Sequence, residues 1–251
     1  MRTENPNEEG FDDPTSPATG LAAVADVAVR TKDVWKIYAQ ESEDVEAVRG
    51  VSLEVREGDF MTMAGPSGSG KTTLLNMLGG LTRPTSGRIW VGDLEITTLS
   101  NKELARLRLE SIGFVFQAFN LLPVLSALEN AEFSLLLRGV PTEERHRRVR
   151  ALFDEIGLEG LEDRRPGKLS GGQQQRVAVA RAVVGEPTLV LADEPTANLD
   201  SPTSDALLDV MERLNQEHGT TFLFSTHDPR VMERARRRVS LVDGQIESDE
   251  R

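Results

Sequence analysis

A chain of 251 residues with 38% hydrophobic side chains is long enough for one large domain or two small ones, each with a buried core. Its formal charge of −12, from 41 acidic against 29 basic residues, disfavours tight binding to nucleic acid or to an anionic lipid surface. It contains no cysteine, which removes disulfides, thiolate metal sites and cysteine nucleophiles, and no uncharged apolar run approaches the ~20 residues that cross a bilayer.

The opening stretch "MRTENPNEEGFDDPTSP" is acidic and polar, unlike a secretion signal, so the chain is expected to be soluble and to stay where it is made. Residues 1–24 read as a disordered acidic tail and residues 25–251 as one domain. Along the domain, "VSLEV" alternates strictly, "DFMTMA" leads into a glycine loop, and "TTLLNMLGG" continues as a helix. Then "RIWVG", "IGFVF", "TLVLAD", "TTFLFST" and "RVSLV" are β-rich runs separated by helical ones. Ser100 with Glu103, and Ser126 with Glu129, have capping-box spacing. Strands stop between about 118 and 185. The fold class is α/β, with a core of mostly parallel sheet (25–117 and 186–251) and an inserted helical subdomain (118–185). The clusters "ERHRRVR" and "ERARRRV" read as solvated helix faces.

A strand, then "GPSGSGKTT", then a helix satisfies the P-loop pattern in the context it requires. Without bulky side chains, the backbone N–H groups of Gly65, Pro66 excepted, through Ser67, Gly68, Ser69, Gly70, Lys71, Thr72 and Thr73 can point at one phosphate chain. The helix dipole behind them adds to the attraction. Lys71 is expected to reach the β- and γ-phosphates of ATP, and the Thr72 hydroxyl to sit on Mg²⁺. A second motif, "TLVLADE", is an apolar strand that delivers two carboxylates: Asp193 for the metal shell and Glu194 to orient or deprotonate water.

The stretch "KLSGGQQQR" has two readings. Ser170 and Gln173 can form a capping box, which leaves Gly171 and Gly172 unexplained in a first turn where each costs up to about 1 kcal/mol against alanine. Alternatively the glycines uncover a helix N-terminus for another molecule's phosphates. Because one loop already wraps the phosphates, this second site suggests a nucleotide clamped between two copies of the chain.

With these motifs in this order, the sequence resembles the ATP-binding cassette ATPases from about residue 25 to 247. "LSGGQ" is similar to their signature and lies between the P-loop and the carboxylate strand. The resemblance implies a head-to-tail homodimer in which one chain's Ser170, Gly171, Gly172 and Gln173 complete the other's ATP site. It also implies that Tyr38, otherwise a strand-edge aromatic, stacks on adenine. Gln117 resembles the glutamine that touches Mg²⁺ and water and links the core to the helical subdomain. Asp200, in "NLD", resembles a loop at the dimer interface, and His227 the switch histidine on the γ-phosphate.

"IGFVFQAFNLLPVLSALEN" and its neighbours are most similar to the lipoprotein-release and macrolide-export group, which includes relatives acting in cell division. That likeness implies an integral membrane permease as partner and a peripheral location at the cytoplasmic face of the membrane, without lipid insertion. Phe119, Leu121, Leu122, Val124 and Leu125 would line the groove for a permease helix, or else pack within the helical subdomain. Ala197 departs from the group's usual glycine. A signalling or mechanical module without a transported substrate stays open. DNA-maintenance relatives fit poorly, since only about 100 residues separate P-loop and signature and the net charge disfavours DNA.

Overall fold

The computed structural model describes residues 27–39 and 44–251, so the expected tail at 1–24 lies outside the described residues. The chain begins with strands Val27–Tyr38 (β1), Val45–Val51 (β2), Glu54–Arg56 (β3) and Phe60–Ala64 (β4), followed by helix Lys71–Leu78 (α1). Next come Ser86–Val91 (β5), Leu94–Glu95 (β6), Asn101–Ser111 (α2) and Ile112–Phe116 (β7). The helices Ala127–Leu137 (α3) and Thr142–Glu155 (α4) precede a single 3-10 turn at Pro166–Lys168 and then Gly171–Val183 (α5). Leu189–Asp193 (β8), Ser201–His218 (α6), Phe222–Ser225 (β9), Pro229–Arg234 (α7), Arg237–Val242 (β10) and Gln245–Glu250 (β11) follow.

One sheet has the order β11-β10-β4-β9-β8-β7 and is parallel except for the β10–β11 hairpin. Its central strands are apolar on both faces because both faces are covered. Successive side chains therefore feed different cores: Phe60, Val190 and Phe222 join one cluster with α3, α5 and α6, while Met61, Leu191 and Leu223 join the other with α1 and α2. The Asp243-Gly244 turn between β10 and β11 has positive φ at both residues (46° and 78°), the geometry that two-residue hairpins favour.

A second sheet was not anticipated by the expectation of one mostly parallel sheet. It has the order β2-β1-β5-β6 with β3 also on β1, and every pairing in it is antiparallel. For β5 and β6 the reason is connection length: Val91 pairs with Leu94 across two residues, far too few for a parallel crossover. "VSLEV" keeps its alternation, with Val51, Leu53 and Val55 buried, but strand pairing breaks at Ser52 and Leu53.

All the described strands cease between β7 and β8, as the sequence pattern indicates. Helix α5 nevertheless also packs on the parallel sheet: a Cβ on Gly113 of β7 would come within 2.4 Å of the Ala182 carbonyl oxygen. The same helix thus packs on α3 and on the core sheet. The two arginine-rich clusters are not simply solvated. Arg145 is buried and its Nε meets Glu132 Oε2 at 3.1 Å, while buried Arg237 donates from Nε and Nη2 to Asp249 at 2.8 and 2.7 Å. The second cluster is also not a single helix face, because α7 ends at Arg234 and Arg237 and Arg238 lie in β10.

Candidate nucleotide site

Parallel register gathers the chemistry at one edge of the sheet. Phe116 pairs with Asp193, Asp193 with Ser225, and Ser225 with Met63. The residues that follow on each strand, Gln117, Glu194, Thr226 with His227, and the loop after Ala64, therefore emerge together, at the carboxyl ends where open α/β sheets bind ligands. Two backbone bonds fasten this edge, Glu194 N–H to Ser225 O at 2.9 Å and Thr226 N–H to Met63 O at 3.2 Å.

The loop 65–70 needs its glycines for two different reasons. A Cβ on Gly65 would sit 2.1 Å from Leu241 O, and one on Gly70 would sit 2.2 Å from Ala47 O. Gly68 has open space around it but φ of +81°, a conformation that L side chains rarely adopt. Pro66, Ser67 and Gly68 are exposed, Thr73 is half-buried, and Ser69 is buried with its hydroxyl unpartnered. Helix α1 starts with Gly70 in the left-handed region and has no side-chain cap, which leaves its first N–H groups directed at the loop. Buried Lys71 folds over the loop, its Nζ donating to Gly65 O at 2.7 Å and Pro66 O at 2.8 Å. Burial lowers the Lys71 pKa, opposed by the charges of Glu194 and Asp193. The Thr72 hydroxyl lies 3.3 Å from Asp193 Oδ1, a pair of hard oxygen atoms that suits Mg²⁺. An uncapped helix end, a glycine cradle and an ammonium without a carboxylate bond fit a polyphosphate.

Glu194 has φ of +47°, which costs a non-glycine residue about 1–3 kcal/mol and is held here by the β8–β9 backbone bond. Its carboxylate is engaged on both oxygens: Oε1 with His227 Nδ1 at 2.6 Å and Oε2 with the Thr226 hydroxyl at 3.0 Å. The Thr226 hydroxyl accepts in turn from Asp228 N–H at 3.0 Å. Thr226 was not singled out from sequence, although it lies inside "FSTHD" and follows a strand. His227 is 73% exposed in its side chain, so its bond to Glu194 can be exchanged for one to a ligand. Gln117 is exposed, and its carbonyl accepts from Asn198 Nδ2 at 2.9 Å.

Tyr38 ends β1 with 39% of its surface exposed and Lys36 Nζ 4.9 Å from its ring centre. It pairs with Val45, two residues before Ala47, whose carbonyl lies against Gly70. The antiparallel sheet thus brings the ring's strand beside the phosphate loop.

The Ser170–Gln173 segment is a capping box in full: Ser170 Oγ accepts from Gln173 N–H at 3.3 Å, and Gln173 Oε1 accepts from Ser170 N–H at 2.9 Å. The boxes at Ser100–Glu103 and Ser126–Glu129 also form. Gly172, which local reasoning left unexplained, has a packing cause, since a Cβ there would lie 2.2 Å from Thr203 Cγ2 of α6. Gly171 has only ordinary distances, 3.6 Å to Leu199 and 3.8 Å to Phe119, so it alone lacks a packing cause. Asp200 caps α6, accepting from Thr203 N–H at 2.9 Å; bonding to Thr203, through its side chain and then its backbone, holds this carboxyl below the usual range. Among the described residues, no hydrogen bond or ion pair joins 170–173 to 65–73 of the same chain.

The apolar residues that follow Gln117 divide between the core and the surface, beside an apolar cleft. Leu81, Leu109, Phe114, Phe116, Phe133 and Leu137 line a cleft between the sheet edge and α3, and Asn120 is the only residue of 119–125 in its wall. Leu121 packs against the core, while Leu122 and Val124 are 41% and 71% exposed. Buried Asn130 fixes this turn, accepting from Leu122 N–H at 2.7 Å and donating to Ser126 O at 2.9 Å. Among the described residues no helix is long and apolar enough to cross a membrane.

The ABC transporter family model matches residues 48–197, which spans the phosphate loop, the Ser170–Gln173 segment and the carboxylate strand. The chain is 41% identical over 221 residues to the lipoprotein-releasing system ATP-binding protein LolD of Legionella pneumophila, covering 88% of this chain and 97% of that protein. It is 48% identical over 223 residues to the macrolide export ATP-binding/permease protein MacB of Syntrophobacter fumaroxidans, covering 88% of this chain but only 31% of that longer protein. Its fold matches the dimeric post-hydrolysis structure of the ATP-binding cassette MJ0796 of Methanocaldococcus jannaschii, bound to ADP and Pi, with TM-score 0.82 and 41% identity over 89% of this chain and 98% of that one. With these matches running through the residues that form the phosphate cradle, the chain belongs to the ABC transporter family, as an ATP-binding and ATP-hydrolysing cassette of the LolD/MacB-like type.

Proposed function

We propose that the chain powers a membrane permease of the lipoprotein-release or macrolide-export type, acting as a head-to-tail pair with a second copy of itself. The observation that carries the pairing is a phosphate cradle open at Gly68, combined with a second helix end at Ser170–Gln173 that makes no bond to it within one chain. The MJ0796 relative is dimeric, which supports the same arrangement here.

In this reading the loop 65–73 holds the ATP phosphates, with Lys71 shifting from its loop carbonyls toward them. Tyr38 stacks on the adenine. Bound Mg²⁺, between Thr72, Asp193 and Gln117, would neutralise charge that develops on the phosphate oxygens. Glu194 accepts a proton from the attacking water, and His227 releases Glu194 to reach the terminal phosphate. The second copy's Ser170, Gly171, Gly172 and Gln173 cover the open side, with Asp200 near the contact. ATP closes the pair and hydrolysis reopens it.

The groove between β7 and α3 receives a cytoplasmic helix of the permease, so the chain works at the cytoplasmic face of the membrane. Core segments 25–117 and 186–251, with the helical segment 118–185 between them, are the two bodies that such a helix would join. No nucleic-acid partner is proposed, since Arg145 and Arg237 both have acidic partners.

The chain has no native cysteine, so paired cysteines can test the geometry. Ser67→Cys in one preparation and Ser170→Cys in another, both carrying Glu194→Gln, should form a mixed disulfide dimer on oxidation only when combined with ATP. A dimer without that crosslink counts against the head-to-tail arrangement. Tagged Glu194→Gln with ATP and Mg²⁺ should capture a permease from detergent-solubilised membranes of its source. Recovery of only soluble proteins would overturn the transport reading, and a permease partner without a transported substrate would favour a mechanical role.

A further inference from the structure

Helix α5 carries a fully buried amide that neither the capping box nor the nucleotide cradle uses. Gln175 is 0% exposed, and its Nε2 donates twice, to Pro195 O at 2.8 Å and to Phe116 O at 3.3 Å. Phe116 immediately precedes Gln117, and Pro195 immediately follows Glu194. One side chain therefore joins the ends of β7 and β8, next to the two residues assigned to water and metal. Its Oε1 is buried without a partner. An orphaned buried oxygen costs stability, so a residue needed only to fill this space would be better as leucine or methionine, like the Val177 and Val179 side chains that follow in the core.

The helix begins with Ser170, and Gln175 lies five residues further along the same rigid rod. Displacement of the capped end is thus carried to the two strand ends without an intervening loop. Asn198 braces the same region through Gln117 O at 2.9 Å, and Arg181, further along α5, donates to Phe119 O at 2.9 Å. The backbone on both sides of Gln117 is held by side chains, so its position follows α5 and the 195–200 turn.

We infer that Gln175 is a positioning residue for hydrolysis, its buried amide fixing the strand ends that bear Gln117 and Glu194 to the helix whose capped end is Ser170–Gln173. The inference rests on the roles proposed for Glu194 and Gln117. In a head-to-tail pair it also makes each chain's helix report on the other chain's nucleotide, so the two sites turn over cooperatively.

The test uses full-length chain. Gln175→Leu removes both donors at similar volume and should lower kcat about tenfold or more, with ATP affinity near wild type and the Hill coefficient falling toward one, while the thermal midpoint drops by a few degrees because the Pro195 and Phe116 carbonyls lose their donor. Gln175→Glu supplies a readout that packing alone would not move. Burial raises its carboxyl pKa, and only the protonated form can donate, to one carbonyl. Its kcat should therefore rise as pH falls through that pKa, where wild type shows no such ionisation. Unchanged kcat and cooperativity in both variants would overturn the proposal, as would losses of kcat that track loss of the folded fraction. If Gln175→Leu does not fold, the pH profile of Gln175→Glu decides: an acid-side gain supports the proposal and a flat profile overturns it. Glu194→Gln is measured alongside. Normal turnover in that chain would sink the Glu194 assignment itself, whereas an inactive Glu194→Gln beside a normal Gln175→Leu would overturn only the role of Gln175.

Discussion

Glu194→Gln should hydrolyse ATP roughly 10²–10⁴-fold more slowly than wild type while still binding it, because a positioned general base contributes about that much. The substitution is nearly isosteric, so β8, the positive φ at Glu194 and the bond to the Thr226 hydroxyl can all persist. What disappears is the anion that can take a proton, and with it the charge facing His227 Nδ1 at 2.6 Å. Slow turnover should trap the closed pair, so light scattering of the variant with saturating ATP and Mg²⁺ should give a dimer mass. A monomer under those conditions would contradict the clamped arrangement, and near-normal phosphate release would contradict Glu194 as the base.

Lys71→Ala should weaken ATP binding by about 100-fold or more, from the loss of at least two charge-assisted bonds worth about 1.5–3 kcal/mol each. The structure adds a second cause. Lys71 Nζ bonds to Gly65 O and Pro66 O, so removing it also loosens the loop that presents the N–H groups. Lys71→Met keeps the buried stem and should show a similar loss of affinity with less loss of stability, which separates charge from packing. Titration calorimetry reads the affinity directly. Micromolar binding retained in both variants would show that the ammonium does not face the phosphates.

Much of the local structure was legible because its causes are local. The three capping boxes depend on residues three apart, and all three form as the spacing indicates. The all-buried runs "FMTMA" and "FLFS" show as central strands because a sheet covered on both faces needs apolar residues at every position. The glycine loop was readable for the same reason: its positive φ at Gly68 and Gly70 requires glycine whatever surrounds it.

Other features depend on residues far apart in sequence, and there local reasoning ran out. Gly172 looked like a cost incurred for a ligand, yet Thr203 of α6 occupies the space of its missing Cβ. The apolar residues after Gln117 could line a groove or pack inside, and they divide: Leu121 packs on the core, Leu122 and Val124 stay exposed, and the cleft beside them is walled by residues from β7, α2 and α3. The pairing of His227 with Glu194 across 33 residues has no signal at either position.

The sequence by itself determined the phosphate loop, the carboxylate strand, the capped helix starts and the α/β class, since each is set by backbone conformation or by a periodicity within one segment. Only the tertiary structure decided the antiparallel second sheet, the lining of the groove, the contact between α5 and α6 at Gly172, and the buried amide of Gln175 between two strand ends. Strand register and helix packing bring those atoms within a few ångströms, and neither is written in the spacing of neighbouring residues.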